Sequence, residues 1–214
     1  MRVHPTKDQI RVAFEAVRDS PAFSESAKLF EHGHLPVEML QAMSLRPELL
    51  RAFAATSEAV YPGGIVERRV KELIILEASR HNRCQFCTQS HVSIARMLGI
   101  VDDSGDPLKL LDRPDLMTDR ERLAVEFTRA AQRDANGIEN SLFATLQLHY
   151  TTAEIVELPA MIALISMLNM FNKCLQVAYH GECESDSLPD RIAYENESTM
   201  MLSAWGNCCR PPRA

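Results

Sequence analysis

Residues 66–99 read VERRVKELIILEASRHNRCQFCTQSHVSIARMLG, and this stretch decides the fold of the chain. Apolar residues recur at helical spacing over residues 66–80, and a second helical pattern runs over residues 84–98. The short connection 81–83 separates the two patterns, and Gly99 suits the end of the second helix. The stretch therefore predicts two consecutive helices joined by a tight turn.

Helix-start signals occur throughout the rest of the sequence. Thr6 with Gln9, and Thr118 with Glu121, have the spacing of capping boxes, and Pro47 fits the first turn of a helix. Further helices are predicted near residues 25–31, 37–43, 139–149, 152–178 and 192–202. Because no convincing strand alternation occurs, we predict an all-α fold.

The 214 residues are expected to form one domain, 1–214. We divide it into N-terminal helices (1–60), a core that bears the cysteine pair (61–180) and a polar tail (181–214). Within the core, the polar segment 102–114 contains prolines and glycine, and we predict a loop there that divides the chain into halves.

Composition excludes several classes of function. The net charge is −6 and no basic run occurs, which argues against a nucleic-acid partner. The first ten residues lack the apolar region of a targeting signal. The most apolar stretch, 155–171, contains Glu157 and Pro159 and is short for a membrane span, so we interpret it as a buried helix. These features predict a soluble, cytoplasmic protein that contacts no membrane and whose cysteines stay reduced.

Residues 70–92 can be aligned with residues 155–177 at an offset of 85 positions, with five identities in 23 positions. Glu72 then falls on Glu157, whereas Cys84 and Cys87 fall on asparagines. This pattern favours a degenerate internal duplication of a helical unit, whose second copy lost the reactive side chains.

Cys84, Cys87 and His91 carry the chemistry that the sequence suggests. On a helix they lie within roughly 60° of one another, so one face presents two thiols and an imidazole. A nearby imidazole and a helix N-terminus both favour the thiolate. The helix N-terminus favours Cys84 as the low-pKa thiol, whereas His91, four positions after Cys87, favours Cys87.

Glu72 is the fourth candidate, because a carboxylate next to an apolar helix face needs a partner. It is suited to orient His91 and accept a proton, although an ion pair with Arg68 or Arg69 has the right spacing too. A zinc site is a further alternative, with Cys84, Cys87 and His91 as ligands and Glu72 or His81 as the fourth; the second ligand pair of a usual structural zinc site is not visible.

The other cysteines are left out of the candidate site. Cys174 lies in an apolar helix and is expected to pack there. Cys183 and the adjacent pair Cys208–Cys209 fall in the polar tail and receive no role.

The elements Lys71-Glu72-Leu73, Cys84-Gln-Phe-Cys87 and His91 together resemble the alkylhydroperoxidase D (AhpD) and carboxymuconolactone decarboxylase family. The resemblance extends over about residues 40–180 and rests on the distances from the glutamate to the cysteine pair and on to the histidine. It implies an AhpD-like helical bundle that assembles as a homo-oligomer, a trimer or a hexamer.

The resemblance also implies an activity, the reduction of hydroperoxides by a dithiol and an external dithiol reductant, with no bound cofactor or metal. Cys87 would be the peroxidatic thiolate, Cys84 the resolving thiol, and His91 with Glu72 the proton relay. Phe86 stands where the founding peroxidase has a histidine, which makes the surroundings drier. Two alternatives stay open, a non-redox, decarboxylase-like enzyme of aromatic catabolism that uses Glu72 and His91, and a zinc-binding helical module.

Overall fold

The computed structural model describes residues 1–23, 30–31 and 33–180, and over these residues it contains helices and no strand. The prediction of an all-α fold is confirmed for this part of the chain. The α-helices, in chain order, are α1 Lys7–Glu15, α2 Glu38–Met43, α3 Pro47–Ala59, α4 Arg68–His81, α5 Gln85–Met97, α6 Pro107–Leu110, α7 Asp119–Asp134, α8 Asn140–His149 and α9 Thr152–Leu175. Short 3₁₀ helices cover Pro114–Leu116 and Ala135–Gly137.

The chain forms two compact units. Among the described residues, the first unit contains those of Met1–Gly63 together with residues 175–180, and the second contains Gly64–Cys174. The single domain expected for residues 1–214 stays a prediction. The helices predicted near residues 25–31 and 192–202 fall largely or wholly outside the described residues, as do Cys183, Cys208 and Cys209.

Helix α1 of the first unit begins as its sequence predicts. The Thr6 hydroxyl accepts a hydrogen bond from the Gln9 N–H (3.2 Å), and the Gln9 side chain accepts one from the Thr6 N–H (2.8 Å). This reciprocal capping box satisfies two amide donors that a helix start leaves without partners. Phe14 of α1 is buried and packs edge-on against Phe23, with ring centroids 6.5 Å apart.

The prediction that residues 102–114 form a dividing loop is wrong. The segment lies inside the second unit and contains α6. Asp106 caps this helix by accepting a hydrogen bond from the Leu108 N–H (2.9 Å), and Pro107 occupies the first turn. An aspartate followed by proline is a helix-start signal in its own right, and the composition of the segment obscured it.

Helix α4 is the central helix of the second unit, since every residue from Val70 to Ser79 is buried. Its apolar side chains join a core cluster formed by Leu73, Leu76, Ala95, Ile100, Leu110, Leu111 and Val125. A helix buried on all sides has no solvated face for polar groups, so each polar side chain in it requires a partner inside the protein.

Helix α9 is continuous over 24 residues, with Pro159 inside it. By length and composition alone it could cross a membrane, a test that the core helix of a soluble protein also passes. The helix is thus longer than the apolar stretch 155–171 suggests, and it is buried on one side, including Leu158, Ile165 and Leu168, rather than all round. The proposed internal duplication is not repeated in structure, because residues 70–92 form a helix, a turn and a second helix.

Candidate active site

The turn between α4 and α5 places the cysteine pair. Arg83 adopts the left-handed conformation with φ of 55°, and its N–H donates to the Arg80 carbonyl (3.2 Å). The next N–H, that of Cys84, donates to the Ser79 carbonyl (3.0 Å). These two bonds form a Schellman motif, which ends a helix abruptly and here lets α5 begin two residues later.

Cys84 and Cys87 are joined by a disulfide, with their Cα atoms 5.4 Å apart. Cys84 is the N-cap of α5 rather than its first helical residue, and its sulfur accepts a hydrogen bond from the Cys87 N–H (3.4 Å). Both residues are buried, with exposures of 1% and 2%. The structure thus brings the predicted pair into bonding contact at the start of a helix.

Glu72 and His91 meet between α4 and α5. The Glu72 Oε2 lies 2.8 Å from the His91 Nδ1, and both side chains are buried. The Nε of Arg68 donates to the other carboxylate oxygen, Oε1, at 2.7 Å. The carboxylate of Glu72 therefore makes both expected contacts, because it bridges Arg68 and His91. It does so in the interior, whereas the alternative partner Arg69 contacts Glu121.

This arrangement fixes the roles of the imidazole nitrogens. An ionised carboxylate only accepts hydrogen bonds, so the Nδ1 of His91 carries the hydrogen when it faces Glu72. In the neutral ring, Nε2 is then the basic nitrogen that takes up a proton. Arg68 pairs with the same carboxylate and holds it in place.

Asn172 of α9 contacts the cysteine pair and is not among the residues predicted from sequence. Its Nδ2 donates to the sulfur of Cys87 at 3.3 Å, and the residue is 2% exposed. Asn169, one turn earlier, donates to the Ser79 hydroxyl (3.1 Å) and accepts from Asn82 (3.0 Å). Buried asparagines in an otherwise apolar helix were the available signal, since such amides need polar partners.

A partly buried carboxylate, that of Glu157, lies near the start of α4. It pairs with Lys71 (2.7 Å) and accepts hydrogen bonds from the N–H groups of Ile65 (2.7 Å) and Val66 (3.1 Å). Burial lowers the pKa of Lys71, and the Glu157 carboxylate partly opposes that effect. Gly64 passes beside this pair with φ of 88°, and a Cβ there would collide with both charged groups.

The remaining candidates lie elsewhere. Cys174 is exposed and outside any disulfide, so the prediction that it packs in the core is wrong. At 100° per residue, it projects from the side of α9 away from the buried Asn172. His81 is exposed at the end of α4. Among residues 1–23, 30–31 and 33–180, no group of three or more His, Cys, Asp or Glu side chains is arranged to hold a metal ion.

Residues 47–130 match the model of the carboxymuconolactone decarboxylase family. The segment runs from the first residue of α3 into α7 and contains all the predicted site residues, Glu72, Cys84, Cys87 and His91. The resemblance predicted from the motif is thereby confirmed.

YnjA of Escherichia coli K12, an uncharacterized protein, is 29% identical to the chain over 119 residues. The match covers 53% of this chain and 63% of YnjA, so the chain spans less than two thirds of that relative.

Solved structures agree with the predicted AhpD-like fold. A protein of unknown function from Agrobacterium tumefaciens, provisionally labelled the antioxidant defence protein AhpD, is 27% identical. It superimposes with a TM-score of 0.58 over 66% of this chain and 97% of that one. The alkylhydroperoxidase AhpD core of an uncharacterized peroxidase-related protein from Ralstonia eutropha JMP134 gives 0.63 at 21% identity, over 83% and 90% of the two chains. Because the Ralstonia eutropha protein is only 21% identical, its similarity to this chain shows the fold alone.

Proposed function

We propose that the protein is a thiol-dependent peroxidase. The match of residues 47–130 to the carboxymuconolactone decarboxylase family supports this proposal. The protein reduces hydroperoxides through the Cys84–Cys87 pair, with Glu72 and His91 as a proton relay. One observation carries this proposal, namely that a cysteine pair in disulfide contact and a buried carboxylate–imidazole hydrogen bond are built on the same two helices.

The first step is attack of the Cys87 thiolate on a hydroperoxide oxygen. An S–O bond forms as the O–O bond breaks, and the electron pair of the broken bond leaves on the alkoxide. A proton from the relay converts the alkoxide into an alcohol, and Cys87 becomes a sulfenic acid. The sulfur is oxidised by two electrons and the peroxide is reduced by two.

The second step closes the disulfide. The Cys84 thiolate attacks the sulfur of the sulfenic acid, an S–S bond forms, and hydroxide leaves and takes a proton to become water. A sulfur–sulfur bond between these cysteines is the product expected of this step. An external dithiol then exchanges with the disulfide, which restores both thiols and leaves the donor oxidised.

Glu72 and His91 supply and remove the protons. The Nε2 of His91 takes the proton of the attacking thiol and returns it to the departing oxygen, while Glu72 holds the ring through Nδ1. Because the carboxylate is buried and bonded to Arg68, the ring is held in one orientation. Relays of this kind accelerate proton transfer by about 10²–10⁴-fold.

Titration of free thiols tests the proposal. We expect one equivalent of hydroperoxide to remove two thiols per fully reduced chain, and neither Cys84→Ser nor Cys87→Ser to form the disulfide. In Cys84→Ser, a sulfenic acid should be trapped at Cys87 and identified by mass spectrometry. Absence of thiol loss would contradict the activity, and a sulfenic acid at Cys84 in Cys87→Ser, with none at Cys87 in Cys84→Ser, would reverse the assigned order.

A second candidate is supported by the family match itself, whose name denotes a decarboxylase. The Glu72–His91 pair is an acid–base pair that needs no thiol to act on a carboxylated lactone. This candidate predicts lactone turnover that survives the combined substitution Cys84→Ser and Cys87→Ser. Loss of all activity in that variant favours the peroxidase instead.

A further inference from the structure

The Cys87 sulfur has a side-chain hydrogen-bond donor that comes from a distant part of the sequence. The Nδ2 of Asn172 lies 3.3 Å from the Cys87 Sγ, and both residues are buried at 2% exposure. They are 85 positions apart, and α9 delivers the amide to the start of α5.

The end of α9 is anchored around this amide. One turn before it, Asn169 bonds to the Ser79 hydroxyl and to the Asn82 side chain. At the next position, the Lys173 Nζ donates to the Asn82 carbonyl at 2.8 Å. These contacts hold the carboxyl-terminal turns of α9 against the turn that carries the cysteines, so the orientation of the Asn172 amide is fixed in advance.

The two sulfurs differ in how an anion on each would be stabilised. Cys84, at the N-cap, receives a backbone N–H and faces the positive end of α5. Cys87 lies inside the first turn and is buried, and burial by itself disfavours a thiolate. A hydrogen bond to an ionised acceptor is about twice as strong as one between neutral groups, so the Asn172 bond strengthens when Cys87 ionises.

We propose that Asn172 is a catalytic residue that stabilises the Cys87 thiolate through its side-chain amide. The inference rests on the proposed function, in which that thiolate attacks the peroxide. In this proposal, the Asn172 amide lowers the pKa of the Cys87 thiol. Helix α9 is then part of the active site rather than a supporting helix. Removal of the donor should raise the pKa of the Cys87 thiol by about one pH unit.

The test measures thiolate absorbance against pH in reduced protein in which Cys84, Cys174, Cys183, Cys208 and Cys209 are replaced by serine, so that Cys87 is the one thiol left to titrate. The measurement needs no peroxide. Asn172→Leu removes the donor at similar volume. Asn169→Leu is the matched control, because it makes the same change one turn away in an amide that bonds to Ser79 and Asn82 instead of sulfur. We expect the pKa of Cys87 to rise in Asn172→Leu and to rise clearly less in Asn169→Leu, which loosens the end of α9 but keeps the Asn172 donor.

Asn172→Asp covers the case in which the leucine variant does not fold. It is nearly isosteric, lacks the donor when ionised and adds negative charge, so it too should raise the pKa of Cys87. An unchanged pKa in the folded Asn172 variants, or an equal rise in Asn169→Leu, would overturn the proposal.

A rate measurement in chains that retain Cys84 adds an independent check. At pH 7, Asn172→Leu should slow sulfenic acid formation up to about tenfold, and raising the pH by about one unit should restore the rate. If the pKa moves as expected but wild-type protein does not consume peroxide, the proposed function fails while the role of Asn172 in thiolate stabilisation stands.

Discussion

Residues 70–92 and 155–177 share five identical positions at a constant offset, yet they fold differently. The first segment is helix α4, a turn and helix α5, whereas the second remains one helix up to Leu175. The first carries both thiols, and the second contributes asparagines that contact the first. The two aligned segments therefore fold into different structures, and each contributes different residues to the site.

The turn residues account for the difference. Asn82 and Arg83 stand where the second segment has Met167 and Leu168. Asparagine is a weaker helix former than methionine or leucine, and Arg83 takes the left-handed conformation that ends α4. Met167 and Leu168 favour continuation, so α9 passes through the equivalent position without a break.

Glu72 and Glu157, which occupy aligned positions, show the consequence for function. Both carboxylates pair with a cation, the buried Glu72 with Arg68 and the partly buried Glu157 with Lys71. The turn brings His91 onto Glu72, whereas the second oxygen of Glu157 bonds to the Ile65 N–H. We therefore expect one glutamate to act in chemistry and the other to stabilise the fold.

The largest expected effect is that of Glu72→Gln on peroxide reduction. The amide keeps the shape of the carboxylate but no longer stabilises a protonated His91, so we expect the second-order rate constant to fall by about a thousandfold. Glu77→Gln is the matched control, because Glu77 is buried on the same helix and pairs with Arg80 and Arg129. Stopped-flow measurement of thiol oxidation checks both variants.

A rate within tenfold of wild type in folded Glu72→Gln would contradict the relay. A comparable loss in Glu77→Gln would show that buried charge on α4, rather than contact with His91, sets the rate. Circular dichroism establishes that each variant is folded before its rate is interpreted.

Glu157→Gln should affect stability instead. Removing one partner of a buried ion pair leaves Lys71 without its counter-charge, and we expect the free energy of unfolding to fall by about 3 kcal/mol in urea titrations. The folded fraction should react with peroxide at nearly the wild-type rate. Lys71→Met combined with Glu157→Leu should recover much of the loss, since a buried pair is often replaceable by apolar residues.

If Glu157→Gln unfolds no more readily than wild type, the pair is not a stabilising element. If it slows peroxide reduction as much as Glu72→Gln does while staying folded, the distinction between the two glutamates fails. The double variant Lys71→Met with Glu157→Leu leaves no unpaired charge, but its apolar side chains do not restore the hydrogen bonds to the Ile65 and Val66 N–H groups. Any stability that it fails to recover therefore measures the loss of those hydrogen bonds.

The sequence was sufficient for features that depend on neighbouring residues. The capping boxes at Thr6 and Thr118 and the disulfide contact follow from short spacings, and the structure contains them. The contact between Asn172 and Cys87 depends on how α9 packs against the α4–α5 turn, which no short-range pattern encodes. The predicted burial of Cys174 is wrong for the same reason, because the exposure of this residue depends on which side of α9 faces the core.

The smallest expected effect concerns the turn itself. Arg83 is exposed and holds a conformation that disfavours side chains with a Cβ, so Arg83→Gly should raise the free energy of unfolding by up to about 1 kcal/mol. Met167→Gly, at an exposed position of the uninterrupted α9, should lower it by about 1 kcal/mol, because glycine disfavours a helix interior. Urea titrations of the two variants measure both changes. Opposite signs for the same new residue would establish that the turn conformation distinguishes the two segments, whereas destabilisation in both would mean that Arg83 contributes contacts that outweigh its backbone strain.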